Sequence, residues 1–296
     1  MNDRTAAATG LPLAGILLLL AAFAILPVMD GCAKLLSRHL PVYEVTWARY
    51  VVHWAFLLPL VLARHSWQAF QPEKLVMQLA RSAVLLISTV LFFFGLAYMP
   101  QADTLALFFV SPLVATALSP FFLGEKVGPR RFMAVGIGFI GAIIIIRPGF
   151  GLFRWPALFG LSAGFCYAFY ALATRGLAGK APPLVTAGFT ALVGAVVMSL
   201  AAPFYWVTPS LGDAALMLLM GMTAAIGHYL VIRAYEYAPA SLLAPFAYFE
   251  IIGAVIVGFI LFGDFPDRWT WLGIAVLVAS GIYIWFRERR LAASSA

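Results

Sequence analysis

Charged residues are scarce in this chain: they occupy 10% of its 296 positions, and only 12 residues are acidic. A water-soluble domain carries roughly a quarter of its residues as Asp, Glu, Lys and Arg, so there is too little charge here to coat a soluble surface. Cysteine is also rare. The two present, Cys32 and Cys166, both fall inside apolar runs, which excludes a disulfide framework or a thiolate zinc site and leaves them as small buried apolar residues. Long polar stretches are missing as well. Gaps between apolar runs are mostly under about ten residues, which leaves no room for a soluble catalytic domain. No GxxxxGK[ST] segment occurs, so nucleotide hydrolysis within the chain is not indicated. Alternation of period two is absent too, which argues against a membrane barrel.

What is present is hydrophobicity: 64% of residues are apolar and the mean hydropathy is +0.98, values that place the chain in a bilayer. Ten apolar runs read as transmembrane helices, at residues 12–36, 43–63, 74–97, 104–123, 132–146, 155–178, 184–206, 211–235, 242–262 and 269–286. Backbone groups in lipid must bond within their own segment, so the fold class is an all-α membrane protein. The first run exceeds the length of a signal-peptide core and nine similar runs follow, so it is expected to be retained. The net charge of +7 is scattered over short gaps and forms no basic face, so no nucleic acid partner is expected. Lys and Arg instead report topology. The amino tail, the even-numbered gaps and the carboxyl tail hold eleven of them, against four in the odd-numbered gaps, namely Arg38, Arg147, Arg154 and Arg268. Both termini are therefore expected to be cytoplasmic.

The stretch YMPQADTLALFFVSPLVATALSPFFLGE returns in altered form as YAPASLLAPFAYFEIIGAVIVGFILFGD, displaced by a constant 139 residues. The shift carries Tyr98 onto Tyr237, Pro100 onto Pro239, Gly124 onto Gly263 and Glu125 onto Asp264. A Pro-Gly-rich gap, RPGFGLFR, separates two sets of five runs. Five is odd, so the second set must enter the membrane from the opposite side. The expected organisation is two inverted five-helix repeats, residues 12–148 and 149–287, between cytoplasmic tails at 1–11 and 288–296.

An ionisable side chain at the bilayer centre costs at least ~2.5 kcal/mol, so each one needs a partner, a cavity or an escape to the interface. Lys34, Arg81 and Arg233 lie near span ends and are expected to snorkel. Glu250 lies roughly 12 Å inside its span at 1.5 Å per residue, too deep for a carboxylate to escape. Asp30 and Arg49 lie at matching depths on the first two spans, where an ion pair between them is allowed; Lys34, one turn from Asp30, is the alternative partner. His53 is one turn beyond Arg49 and near midplane, where a proton relay or a substrate contact is possible; His228, in the cytoplasmic half of the eighth span, is a candidate contact although such a residue is more often a satisfied packing residue. Tyr50, Tyr167 and Tyr248 would suit a flat or cationic ligand, although such stripes are more often packing surface. Pro112 and Pro245 fall inside spans and are the candidate hinges. The segments GIGFIG and GLSAG match nucleotide-binding and nucleophile motifs in letters only, since neither has the strand that those motifs require. Gly160 and Gly164, at GxxxG spacing, are read instead as a close helix contact.

The segments DGCAKLLSRHLPVYEVTWARY, YMPQADTLALFFVSPLVATALSPFFLGEKVGPRR and GFIGAIIIIRPG resemble the EamA-type family of the drug/metabolite transporter superfamily over essentially the whole chain. The likeness is most specific at Ser111-Pro112 and Leu123-Gly124-Glu125-Lys126; in the second half Asp264 stands where Glu is expected. The Arg81 region and Arg147-Pro148-Gly149 are most similar to the bacterial group that includes riboflavin and S-adenosylmethionine uptake permeases. The resemblance implies a multi-pass permease of the bacterial inner membrane, with a central cavity between its halves. It would move a small polar or heteroaromatic metabolite, such as a vitamin or nucleoside-like solute, as a monomer or homodimer without metal or cofactor. Asp30, Arg49, Tyr50, His53, Tyr167, His228, Tyr248 and Glu250 are the candidate substrate-binding residues, and no residue is assigned a catalytic role. The alternatives are an amino acid or drug exporter of the same fold, a membrane enzyme using Glu250 and His228 as acid and base on a lipid-borne substrate, and a structural subunit without a pathway.

Overall fold

Every long apolar run folds into helix, because in hydrocarbon only a helix satisfies each backbone N–H and C=O within its own segment. The computed structural model describes residues 13–65, 74–124, 128–147, 155–177, 182–237 and 243–294. The expected tail 1–11, the linker residues 148–154, and Glu125, Lys126 and Pro239 of the repeat motif lie outside these. The described chain has no strand. In the first half, helices α1 (Leu13–Leu36), α2 (Val42–His65) and α3 (Leu75–Tyr98) are followed by a pair, α4 (Gln101–Phe108) and α5 (Ser111–Leu123), and then by α6 (Pro129–Ile146). The second half holds α7 (Ala157–Gly176), α8 (Pro183–Ala201), α9 (Leu211–Tyr237), α10 (Phe249–Phe262) and α11 (Arg268–Ser294). A short 3-10 turn, Ala244–Tyr248, leads directly into α10. Among the described residues nine segments are long and apolar enough to cross a membrane, with α4 and α5 counted as one, and the apolar stretch Phe132–Ile146 of α6 is a shorter tenth. The ten-helix reading therefore holds. Helix α11 continues to Ser294, into the stretch expected to be a tail.

The helix contacts repeat when the halves are exchanged. Helix α1 packs on α9 as α7 packs on α3, and α2 packs on α9 as α8 packs on α3. Helices α2 and α8 pack on each other, as do α6 and α11. Such a set is what a two-fold relation between halves produces, and five crossings per half make the two halves antiparallel. The backbone carries the same relation in detail. Gly124 ends α5 at φ 68° and Gly263 ends α10 at φ 70°, a left-handed cap that glycine adopts without the Cβ penalty.

The expectation of unbroken fourth and ninth spans needs correction. The fourth breaks at Phe109 and Val110, between α4 and α5, and the ninth starts as 3-10 turn before α10. Under the 139-residue shift the two irregularities coincide. Pro112 sits in the first turn of α5 and Pro245 in the 3-10 turn, so each shapes a helix start, where a missing N–H costs little. Small residues set the interhelical distances. A Cβ added at Gly160 or Gly164 would lie 3.1 Å from the Thr104 carbonyl oxygen or 2.7 Å from that of Phe108, so α7 approaches the α4 backbone as the GxxxG reading expects.

Candidate functional site

Two close helix approaches bring the deep charged residues together. On α9, a Cβ at Gly221 would fall 2.3 Å from Val52 and one at Gly227 would fall 2.6 Å from Leu26. Helix α9 therefore lies tight against both α2 and α1, and His228 faces Arg49. On α10, Gly253 leaves room for Pro27, whose ring carbon would be 2.6 Å from an added Cβ. That contact, with Gly31 of α1 against Val257, draws α10 onto α1 along its length.

Arg49 is the centre of the cluster. One Nη lies 3.1 Å from His228 Nε2, Nε donates to Met29 Sδ at 3.5 Å, and the guanidinium lies 4.6 Å from the centroid of the Tyr50 ring. The His53 and His228 rings stack at 5.3 Å with 23° between their planes. Asp30 is within electrostatic range of Arg49, yet the ion pair that equal depth allowed is not formed. Asp30 is 2% exposed, Arg49 5% and His53 4%, and each retains a buried atom with no hydrogen-bond partner: Asp30 Oδ1, Arg49 Nη1 and both His53 ring nitrogens. Leaving such groups unpaired costs about 1 to 3 kcal/mol each, and more where they are charged. Glu250 and His228 are less completely covered. The arrangement can offer a hydrogen-bond acceptor, a guanidinium donor and two imidazoles to a molecule held between the halves.

The aromatic candidates divide into three. Tyr50 is 1% exposed and its hydroxyl shares a 2.9 Å hydrogen bond with Thr89, so it supports Arg49 from behind. Tyr248 packs against Phe109 with ring centroids 5.3 Å apart and 43° between the planes, joining the two broken spans, while its hydroxyl occupies the space that a Cβ on Gly281 would need. Tyr167 packs on Phe108 at 4.9 Å and on Tyr170 at 5.4 Å, one ring further from the charged cluster.

Two sequence expectations change. Lys34 does not take Asp30; it pairs with Asp264 in the turn beyond α10. Arg81 does not snorkel. It is 2% exposed and spans three helices, donating to Gln78 on its own helix, to Thr174 of α7 at 3.2 Å, and to the Thr186 carbonyl and Thr190 hydroxyl of α8 at 2.7 and 2.9 Å. Its guanidinium also lies 4.9 Å from the Tyr170 ring. The sequence signal was the set of polar residues on neighbouring spans, visible only once α3, α7 and α8 are known to meet. Gln101 was likewise missed: it is buried on α4 and donates to the Pro27 carbonyl at 2.8 Å.

At the end of the bundle that carries the α1–α2 turn, ion pairs join Lys34 to Asp264 and Arg147 to Asp267, and His39 Nε2 lies 2.8 Å from Asp213 Oδ1. The Asp267 carboxyl, in the turn before α11, is held down at about 2 by the hydrogen bond it accepts from Arg147. An apolar groove of about 340 Å³ lies between α2, α3 and α8, lined by residues that include Tyr43, Leu86, Val90 and Tyr205. It contains none of the candidate residues and lies apart from the charged cluster.

Ten apolar helices in two matched halves, meeting at an incompletely paired polar cluster, define a multi-pass membrane transporter. Residues 13–147 and 154–286 each match the EamA-like transporter family, and the chain belongs to that family. It is 25% identical over 261 residues to an S-adenosylmethionine uptake transporter of Rickettsia bellii, covering 88% of this chain and 89% of that one. It is 30% identical over 278 residues to a riboflavin transporter of Vibrio cholerae, covering 92% and 93%. A solved crystal structure superposes at a TM-score of 0.66 with 18% identity, over 94% of this chain and 99% of the other; that likeness concerns the fold alone.

Proposed function

We propose that this protein is a secondary transporter of the bacterial inner membrane that moves a small polar or heteroaromatic metabolite by alternating access, with both termini cytoplasmic. Residues 12–148 and 149–287 act as the two rocking units, and the broken spans at Pro112 and Pro245 act as hinges. The substrate sits between the halves against Asp30, Arg49, His53, His228 and Glu250, with Tyr248 and Tyr167 as stacking surfaces and Tyr50 holding Arg49 in place. One observation carries this reading: buried, unpartnered polar atoms of Asp30, Arg49 and His53 gather where the two halves meet, a destabilising arrangement in an empty scaffold that a polar ligand relieves. The names of the two relatives make S-adenosylmethionine and riboflavin the first solutes to try.

Purified protein in sealed proteoliposomes tests the reading. Uptake or counterflow of one of these solutes, or of a vitamin, nucleoside or amino acid from a wider panel, is expected, and Glu250→Gln is expected to change its rate or its pH dependence. No solute crossing faster than in protein-free vesicles would overturn the transporter reading. Glu250→Gln with unaltered kinetics at every pH would remove Glu250 from the site.

A further inference from the structure

We infer that the central site has two poles of opposite charge, and that its substrate is a zwitterion whose cationic and anionic ends are both gripped, rather than a neutral flat molecule. The inference rests on the transporter reading and specifies the substrate class of that site.

One pole is acidic. Asp30 of α1 is buried and its Oδ1 has no donor. A cation placed against such a group supplies the partner that the fold does not. The other pole is basic. Arg49 of α2 is braced on three sides, by His228 Nε2, by Met29 Sδ and by the Tyr50 ring. Nη1 is left without an acceptor. A guanidinium fixed in this way presents a donor edge to an incoming carboxylate or phosphate-like oxygen.

The separation of the poles is the decisive feature. Arg49 Nε reaches Met29, the residue before Asp30, but among the described residues neither Asp30 nor Arg49 makes an ion pair with the other or with any other group. Two opposite charges this close in a buried site ordinarily collapse into a hydrogen-bonded pair, because an unpaired buried charge is far more costly than a paired one. Here Pro27 against Gly253 fixes the α1–α10 contact and the Arg49–His228 bond fixes α2 against α9, so the scaffold holds the charges apart. A zwitterion completes both poles at once. A neutral ring system completes neither.

The tilted Phe109–Tyr248 ring pair, which joins the two broken spans, would give such a molecule an aromatic surface as well. A heteroaromatic ring carrying an amino acid or comparable zwitterionic arm therefore fits better than the ring alone.

The full-length protein in lipid nanodiscs tests this by equilibrium binding. S-adenosylmethionine carries a ring, an amino acid end and a fixed sulfonium; S-adenosylhomocysteine lacks the sulfonium; 5′-methylthioadenosine lacks the amino acid; riboflavin has a ring system without either charge. Affinity is expected to fall at least tenfold when the amino acid end is removed, and riboflavin is expected to bind no better than methylthioadenosine. Arg49→Gln and Asp30→Asn are each expected to weaken the zwitterions tenfold or more while leaving the neutral ligands within about twofold. Arg49→Lys and Asp30→Glu keep the charges should the neutral variants fail to fold, and the same ordering of ligands is expected for them at reduced affinity.

Riboflavin binding as tightly as the zwitterions would overturn the two-pole site, as would Arg49→Gln and Asp30→Asn weakening charged and neutral ligands alike. Vesicle transport of an uncharged solute alone, with no zwitterion bound or carried, would also overturn it while leaving the transporter reading intact. Absence of transport for every solute would instead sink the transporter reading itself.

Discussion

Replacing Arg81 with Met tests the most heavily bonded side chain in the structure. Its guanidinium reaches Thr174, Thr186, Thr190 and Gln78 at 2.7 to 3.2 Å, tying α3 to α7 and α8. A methionine of similar length fills much of the volume but makes none of these bonds. The cost is less than the bond count implies, because the two threonine hydroxyls keep their own backbone acceptors, Thr174 on the Tyr170 carbonyl and Thr190 on the Thr186 carbonyl. The group left clearly stranded is Gln78 Oε1, worth about 1 to 3 kcal/mol. Lost cation–π contact with Tyr170 adds about 1 kcal/mol, and removing a buried charge returns part of its desolvation cost. A net loss of about 2 to 3 kcal/mol is expected, or roughly 3 to 5 °C in Tm at this chain length.

Arg81→Lys separates charge from geometry. Its compact ammonium is harder to dehydrate and cannot span acceptors on two neighbouring helices, so it is expected to fall at least as far as Arg81→Met. Thermal unfolding of the detergent-solubilised protein, followed by intrinsic Trp fluorescence, provides the readout. An unchanged Tm in Arg81→Met would refute the tie between α3, α7 and α8. A wild-type Tm in Arg81→Lys beside a lowered Arg81→Met would show that a point charge suffices and that the fan of acceptors is irrelevant.

Further outcomes follow from single contacts. Gly164→Ala places a Cβ 2.7 Å from the Phe108 carbonyl oxygen, a backbone atom that cannot rotate away, so a loss of about 1 to 3 kcal/mol by the same unfolding assay is expected. Gly124→Ala and Gly263→Ala each force a non-glycine residue to φ near 70° and should each cost about 1 kcal/mol, with equal effects marking the equivalence of the halves. Asp267 has its carboxyl lowered to about 2 by Arg147, so its contribution to stability is present above the ordinary carboxylate value near 3.8 and is lost as pH falls toward 2. Tm measured from pH 6 down to pH 2.5 should therefore show the gap between wild type and Asp267→Asn closing with acid, and a gap that widens instead would contradict the Arg147 pairing.

The number of helices and their pairing into halves were legible because both are written in one dimension. A run of twenty apolar residues needs no neighbour to be recognised, and the 139-residue shift that superposes Tyr98 on Tyr237 is visible in the letters. The helix breaks were not. Residues 104–123 are apolar throughout, so hydropathy carries no mark of the interruption at Phe109 and Val110, and Pro112 alone is compatible with a kink as well as with a new helix start. Partner choice was illegible for a different reason. Asp30 and Arg49 stand at matching depth, but depth says nothing about which helices touch; the contact of α1 with α9 and α10 decides it. Arg81 was misjudged on the same account, since closeness to a span end indicates an escape to water only when no neighbouring helix covers that end.

The two halves share a backbone plan but not a chemistry, and this difference bears on what the repeat can do. The equivalence extends to the left-handed caps and the broken spans, so either half could bend at its break. Under the same shift, however, Glu250 corresponds to Ser111, His228 to Thr89, Arg49 to Gly188 and Asp30 to Phe169. Each charged member of the central cluster therefore meets an uncharged residue in the other repeat. A symmetric pair of sites would grip two like groups and present the same polarity from either side of the membrane. On the proposed reading, an asymmetric cluster on a symmetric frame would hold one molecule in one orientation, while alternating access would need the frame to open to each side in turn. The duplicated backbone would then supply the motion and the unduplicated side chains the selectivity. Exchanging the chemistry within one such pair, as in a Ser111→Glu, Glu250→Ser double substitution, should abolish binding at the central site in the fraction of protein that stays folded, provided that the cluster rather than the frame sets specificity. Binding retained at wild-type affinity in that double variant would show that the position of the carboxyl between the halves is immaterial, and the asymmetry would then have no functional content.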